Sequence, residues 1–436
     1  MDRSSPFNLG KYLLLAIILA SILPFGLLME GTLDQGISFA ELMLKISSMS
    51  GLIAGVLFFW QILIGNRFFS ILVTDDILWV NRIHRLIGKY GVIFALIHPI
   101  AVTLGYSKSL AWIVFPDFPL DFSDLYQRAL AFGRIGLALL VIVWLSSITL
   151  RSAIKYRPWL YLHYLSYPML ALILLHAKDI GSSIAQYPVL KAFWISLMFL
   201  SILVLLTRLY QATNLGKIPY IVTKTQISGD IVMLALKPQK SSRFITPSTG
   251  QYCYIQSGKI ANSHPYSVLH YQENNRLLYF AVKQIGKQSK TLNNLKLGST
   301  LYLDGPYGSY LYGLNKSLPV LAIIGSVGIA PLFDYLLINP VSSYLIYCGM
   351  RQEDLIFASK LKTKLGDHYN QIISDGIGPD KITPEKITAF LDQQSLNVKG
   401  VQFLICGSPG FNRGIKQMIF ELGVSDSQIR VEDFGL

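Results

Sequence analysis

Residues 82–98, RIHRLIGKYGVIFALIH, and 159–176, WLYLHYLSYPMLALILLH, decide the fold of this 436-residue chain. Each is an apolar stretch carrying two histidines. His84 and His98 stand fourteen positions apart in the first, His163 and His176 thirteen apart in the second. With its flanks, each stretch is long enough to cross a bilayer as a helix. At about 1.5 Å rise per residue, the two histidines of one helix lie roughly 20 Å apart, one in each leaflet. Two such helices, facing each other and running in the same direction, make two stacked bis-imidazole sites. That is a ligand set for two b-type haems strung across a membrane. Fourteen positions nearly restore one helix face and thirteen do not, so the second helix is predicted to tighten or kink, with Pro168 as a local cause.

Around these segments the composition divides. Only 14% of residues are charged, against about a quarter in soluble domains, and mean hydropathy is +0.44. The apolar excess lies in the first half, while the second half reads as a soluble protein, so at least two domains are expected. The net charge of +13 is carried by Lys and Arg clustered in short loops. This is the positive-inside pattern of a membrane protein, not the single stripe of a nucleic-acid binder. Cys253, Cys348 and Cys406 fall in the second half, and none forms C-x-x-C or C-x-x-C-H. Covalent haem attachment is therefore not indicated, and free thiols in a cytosolic half are. The first apolar stretch, from about Lys11 to Met29, lacks a small-residue cleavage site and reads as a retained anchor.

Six apolar segments, about 9–29, 40–65, 83–106, 129–150, 158–178 and 188–210, meet the roughly 20-residue requirement for a spanning helix. Arg67, Arg82 and Arg85 lie between the second and third. Arg151, Lys155 and Arg157 lie between the fourth and fifth, and Arg208 and Lys217 near the end of the sixth. The alternate loops hold Glu30 and Asp34, then Asp117, Asp121 and Asp124. Both termini are therefore predicted to be cytoplasmic. Helices three and five then run outward, and pairing by depth gives an inner site, His84 with His163, and an outer site, His98 with His176. A lone membrane histidine is often an interhelical hydrogen-bonding residue or part of a proton path. Four at matched depths on two co-directional helices fit haem ligation better. Arg134, just inside the fourth helix from the outer side, suits a haem propionate, an anionic acceptor or lipid headgroups.

From Ile218 the pattern changes. IVTKTQ, IVMLALKP, QYCYIQSG, PYSVLHY and LLYFAVKQI are short strands separated by turn signals, the spacing of an antiparallel barrel. From Leu318 it changes again: PVLAIIG, SSYLIYCG and VQFLICG alternate with helical patterns, which predicts a parallel, doubly wound sheet. Two turns stand at the carboxyl ends of these strands, Gly325-Ser326-Val327-Gly328-Ile329-Ala330-Pro331 and Cys406-Gly407-Ser408-Pro409-Gly410. Glycine there lets a pyrophosphate approach the backbone, and the following helix N-terminus favours its charge. Arg351, just past the strand ending at Cys348, suits a ribose 2′-phosphate, or is a solvated surface residue.

Taken in order, these motifs resemble the ferric reductase and NADPH oxidase superfamily over nearly the whole chain. Trp159, His163 and Tyr167 resemble its W-x-x-x-H-x-x-x-Y pattern, and Gly250-Gln251-Tyr252 its G-Q-[FY]. His264-Pro265-Tyr266-Ser267 is similar to its H-P-[FY]-[ST] flavin motif. Val282-Lys283 with Gly286 and Ser289 is similar to the loop on the flavin pyrophosphate. Gly305-Pro306-Tyr307-Gly308 matches G-P-Y-G. The turns at Gly325, Gly328 and Pro331 and at Cys406 and Gly407 resemble the two nicotinamide-nucleotide motifs. Glu432-Asp433-Phe434 resembles the E-x-F ending whose aromatic covers the flavin ring. Ser326 stands where the family has a middle glycine, Ser408-Pro409 follows Cys406-Gly407 where the family has proline, and two residues follow Phe434.

The resemblance implies a multi-domain membrane protein. A six-helix transmembrane haem bundle (1–215) precedes an antiparallel β-barrel FAD domain (216–315) and an α/β parallel-sheet NAD(P)H domain (316–436). It implies FAD, two b-type haems and NADPH or NADH as donor, with Tyr266 and Ser267 on the isoalloxazine and His264 on the phosphate side. Electrons then pass through the two haems to ferric iron or molecular oxygen on the outer side of a bacterial inner membrane. The alternative is a membrane-anchored flavohaem donor to a periplasmic partner protein; no partner subunit is otherwise indicated. A transporter with a regulatory nucleotide domain would show internal repeats or paired discontinuous helices, and neither is visible.

Overall fold

The computed structural model describes residues 9–23, 25, 36–66, 68–70, 74, 77–109, 113, 120–240, 243–259, 261–374 and 381–433. Glu30, Asp34, Arg67 and Asp117 of the loop charges, and Phe434, lie outside them. The chain divides into two compact units, Met1–Tyr210 and Gln211–Leu436.

The first unit is helical: α1 (Leu9–Ile22), α2 (Phe39–Ile64), α3 (Ile77–Gly105), α4 (Leu125–Trp144), α5 (Tyr156–Tyr164), α6 (Ser166–Ile180) and α7 (Pro188–Ala212). Five stretches among the described residues are long and apolar enough to cross a membrane. They are Phe39–Ile64, Trp79–Gly105, Leu125–Thr149, Tyr156–Ile180 and Pro188–Ala212. The sixth expected span is described as the shorter helix α1, and most of residues 24–35 lie outside the described set. Helix starts follow local chemistry. Ser38 and Glu41 form a reciprocal capping box on α2, with Ser38 N–H donating to the Glu41 carboxylate at 3.0 Å, a device that contributes about 1 kcal/mol. Asp124 caps α4 by accepting from Gln127 N–H at 2.8 Å.

Two irregularities lie close to His163. The fifth span breaks at Leu165, whose N–H donates to Leu162 O at 3.1 Å, a tightened turn between α5 and α6 three residues before Pro168. The end of α4 widens into a π-helical turn, Leu145–Thr149; such bulges recur at functional sites. The core of this unit gathers Val56, Phe58, Leu170, Leu174 and Trp194.

The second unit begins with a closed barrel of β1 (Ile218–Ser228), β2 (Ile231–Pro238), β3 (Tyr252–Gln256), β4 (His264–Gln272), β5 (Leu277–Lys283) and β6 (Thr300–Tyr307), in the order β1-β2-β5-β4-β3-β6. All its pairings are antiparallel, and closure removes free sheet edges. A five-stranded parallel sheet follows: β7 (Val320–Gly325), β8 (Ser343–Gly349), β9 (Tyr369–Ile373), β10 (Gln402–Gly407) and β11 (Ile429–Asp433), ordered β11-β10-β7-β8-β9. Its central strands are apolar throughout because helices cover both faces: five of six β7 residues and all six of β10 are buried. The strand order reverses direction between β7 and β10, and in open parallel sheets ligands bind beyond the carboxyl ends of the strands at such a point.

Candidate functional site

In the membrane unit, the rings of His84 and His163 have centroids 6.0 Å apart, and those of His98 and His176 are also 6.0 Å apart. An imidazole nitrogen binds a transition metal at about 2 Å, so two rings on opposite sides of one iron have centroids roughly 6 Å apart. Each ring is anchored through Nδ1. His84 donates to Gln61 O at 2.9 Å, His98 to Ser47 O at 2.9 Å and His176 to Ala129 O at 2.9 Å. A carbonyl can only accept, so Nδ1 carries the proton and Nε2 keeps its lone pair, the tautomer an axial ligand needs. The Nδ1 of His163 meets the Ser147 hydroxyl at 3.2 Å.

Three glycines make this anchoring possible, and sequence reasoning missed them. A Cβ on Gly51 would stand 2.7 Å from His98 Nδ1, one on Gly133 2.6 Å from His176 Nδ1, and one on Gly65 3.2 Å from His84 Cε1. In each case the accepting carbonyl belongs to the residue four before the glycine: Ser47 and Gly51, Gln61 and Gly65, Ala129 and Gly133. The imidazole lies in the notch one helical turn along from the carbonyl it uses. The signal was present, because Gly51 and Gly65 repeat the fourteen-residue spacing of His84 and His98.

In the soluble unit, strand pairing brings several of the residues expected at the flavin side by side along β3, β4 and β6. Register places Tyr252 opposite Ser267, Cys253 opposite Tyr266 and Ile255 opposite His264; on its other side Tyr252 pairs with Tyr307. Tyr252, Tyr254 and Tyr307 form an aromatic cluster with centroids 5.7 to 6.1 Å apart beside Gly305-Pro306. Gln251 ties the preceding turn, donating to Gly308 O at 3.2 Å. Ser267 is buried, and among the described residues its hydroxyl has no hydrogen-bond partner. Buried hydroxyls are nearly always paired, so this one fits a polar atom of a bound group. Burial alone pushes the Tyr266 phenol up to about 12, so it stays neutral. Val282 is buried at the end of β5, and Gly286 N–H donates to Ser289 Oγ at 2.9 Å at the start of the short helix α8 (Lys287–Asn293). Gly286 faces open space and lines a cleft with Ile285, Lys290, Thr291 and Asn294.

The two turns expected at the nucleotide meet where the strand order reverses, after β7 and β10. A Cβ on Gly328 would fall 2.3 Å from Cys406 O, so only glycine lets the turn after β7 lie against the end of β10. Gly325 and Gly407 both face Phe411, and Pro331 closes the first turn ahead of α9 (Phe333–Ile338). Ser326 adopts φ +50°, a conformation that costs a non-glycine residue about 1 kcal/mol or more. Its carbonyl accepts from Tyr347 OH at 3.1 Å, and its hydroxyl meets Lys283 Nζ at 3.3 Å. Lys283 also stands 3.5 Å from both Asp230 and Asp354, which links the end of β5 to the nucleotide turn. Arg351 is exposed beyond β8 and paired with Glu353 at 2.6 Å. Burial pushes the Cys253 and Cys348 thiols up to about 12, so neither is a thiolate at neutral pH.

Residues 50–174 match the family model for a ferric reductase like transmembrane component, and residues 220–312 that for an oxidoreductase FAD-binding domain. The chain is 24% identical over 219 residues to the ferredoxin–NAD(P)(+) reductase component of the naphthalene 1,2-dioxygenase system of Pseudomonas putida, covering 47% of this chain and 65% of that protein. It is 28% identical over 162 residues to NADH-cytochrome b5 reductase 1 of Candida glabrata, covering 32% and 53%. The chain thus spans less than two thirds of the length of these relatives. Among solved structures, it is similar to the flavohemoglobin of Malassezia yamatoensis with bound FAD and heme, at 17% identity and a TM-score of 0.45, covering 72% of this chain and 89% of that one. Residues 50–174 thus match a ferric reductase like transmembrane component and residues 220–312 an oxidoreductase FAD-binding domain, an order of domains that matches the architecture of the ferric reductase and NADPH oxidase superfamily.

Proposed function

We propose that this protein passes electrons from cytosolic NAD(P)H through FAD and two b-type haems to ferric iron or oxygen on the outer side of a bacterial inner membrane, with both termini in the cytoplasm. The two imidazole pairs, each with centroids 6.0 Å apart, carry this reading. When bound, a flavin takes two electrons as hydride and releases them singly, and haem iron carries one at a time. The chain supplies the holding. His84 with His163 grips the inner haem and His98 with His176 the outer. Tyr266 and the orphaned Ser267 hydroxyl hold the isoalloxazine. Gly325, Gly328 and Pro331, with Cys406 and Gly407, open the crevice to the nicotinamide nucleotide. Arg351 meets a 2′-phosphate only by leaving Glu353. Oxidation of NAD(P)H by purified protein with ferric citrate or oxygen as sole acceptor tests the reading. Inhibition of the acceptor signal by superoxide dismutase identifies oxygen; iron reduction that the dismutase leaves intact identifies ferric iron; turnover with neither overturns both.

Gly133→Val is expected to halve the haem content, because its side chain takes the place of the His176 ring. Haem per chain, measured against protein, checks this. On the resemblance of Glu432-Asp433-Phe434 to the E-x-F ending, Phe434→Ser is expected to lower KM for NAD(P)H, since an aromatic that stacked on the flavin with about 0.5–1.5 kcal/mol would occupy the face the nicotinamide needs. A lower melting temperature with an unchanged KM contradicts it.

A further inference from the structure

Three of the four membrane histidines are held in one way and the fourth in another. His84, His98 and His176 donate Nδ1–H to helix carbonyls, and the Ser47 hydroxyl stands beside the second of these contacts, 3.0 Å from His98 Nδ1. His163 instead meets the hydroxyl of Ser147, on the π-helical turn that ends the fourth span. That same oxygen accepts the indole N–H of Trp159 at 3.3 Å. The Trp159 ring stacks on the His163 ring with centroids 5.1 Å apart and planes 26° from parallel. The guanidinium carbon of Arg151 stands 4.5 Å from the centre of the Trp159 ring. A cation, an indole and an imidazole thus form one stack, and a single hydroxyl bridges the last two.

We infer that Ser147, Trp159 and Arg151 are positioning residues that raise the reduction potential at the inner site, setting it apart from the outer one. The inference rests on reading the four histidines as axial ligands. An acceptor on Nδ1–H makes an imidazole more basic and a stronger donor to its iron, which favours the oxidised metal. At His84, His98 and His176 a carbonyl gives this push. At His163 the acceptor is a hydroxyl oxygen already engaged by Trp159, so the push is weaker and the reduced iron is favoured. The Arg151 charge acts in the same direction, because a nearby cation in a low-dielectric setting opposes loss of an electron. The asymmetry falls on the pair that the proposed path reaches first; at His98 the Ser47 hydroxyl also stands 3.0 Å from Nδ1, but the Ser47 carbonyl meets the same nitrogen at 2.9 Å, and among the described residues no further ring stacks on His98 or His176.

A redox titration of the purified full-length chain, followed by haem absorbance with haem content measured alongside, tests this. Two one-electron steps are expected in the parent. Trp159→Phe keeps the stack but frees the Ser147 oxygen for His163, and Arg151→Gln removes the cation; both are expected to move one step to lower potential. Ser147→Ala removes the acceptor and is expected to move the same step to higher potential, while Ser147→Thr restores the parental value. The other step stays in place throughout. If Ser147→Ala sheds the inner haem, the two lowering variants decide. Steps that do not move, or that move together, overturn the device while two haems per chain remain. A chain that binds no haem overturns the axial-ligand reading, and the device with it.

Discussion

The double variant His98→Ala/His176→Ala is expected to hold one haem per chain, and the parent two. The two rings have centroids 6.0 Å apart, and removing both would take away the two imidazoles proposed to hold one haem. The inner pair stands roughly 20 Å away along the helices and rests on different anchors, Gln61 O and Ser147 Oγ. Its haem is expected to stay, with an unaltered spectrum. Either single variant is expected to give the same halving, since the axial ligand is a main lever on haem retention. Two haems bound by the double variant would show that pairing by depth is wrong.

The pair Tyr266→Ala/Ser267→Ala is expected to weaken FAD by roughly 30- to 150-fold, the equivalent of about 2–3 kcal/mol from one lost hydrogen bond and one lost aromatic contact. Electron entry from NAD(P)H stops, and haem content is unchanged. Ser267 adds a sharper contrast. Among the described residues its buried hydroxyl meets no partner, so Ser267→Ala alone is expected to leave the flavin-free protein as stable as the parent, or more so. A variant that melts early yet binds FAD with parental affinity would place Ser267 in the fold and not at the flavin.

Much of this architecture was legible because it is written in local periodicity. Apolar runs of membrane length, such as 129–150, fix spanning helices, and IVMLALKP or PVLAIIG fix strands, with little help from distant residues. The histidine spacing was legible for the same reason: rise per residue converts sequence separation into depth. What the sequence hides is contact between distant segments. Lys283 and Ser326 meet across 43 positions, and Ser147 reaches His163 only because α4 ends in a π-helical turn, for which no local signal was read. The break at Leu165 was half legible. The odd thirteen-residue spacing and Pro168 called for a kink, but the tightened turn lies three residues earlier, where Leu165 N–H finds Leu162 O. Gly51, Gly65 and Gly133 were visible as letters, yet their role depends on a carbonyl one turn away and on a ring from another helix.

If one chain carries electrons from a nicotinamide to two membrane haems, anaerobic addition of NAD(P)H to the purified, FAD-loaded chain reduces both, and a reduced-minus-oxidised visible spectrum reads this out. The b-type haem bands are expected to grow to the full amplitude given by chemical reduction, with two haems per chain. Bleaching of the flavin with no haem band, or no haem bound at all, would contradict it.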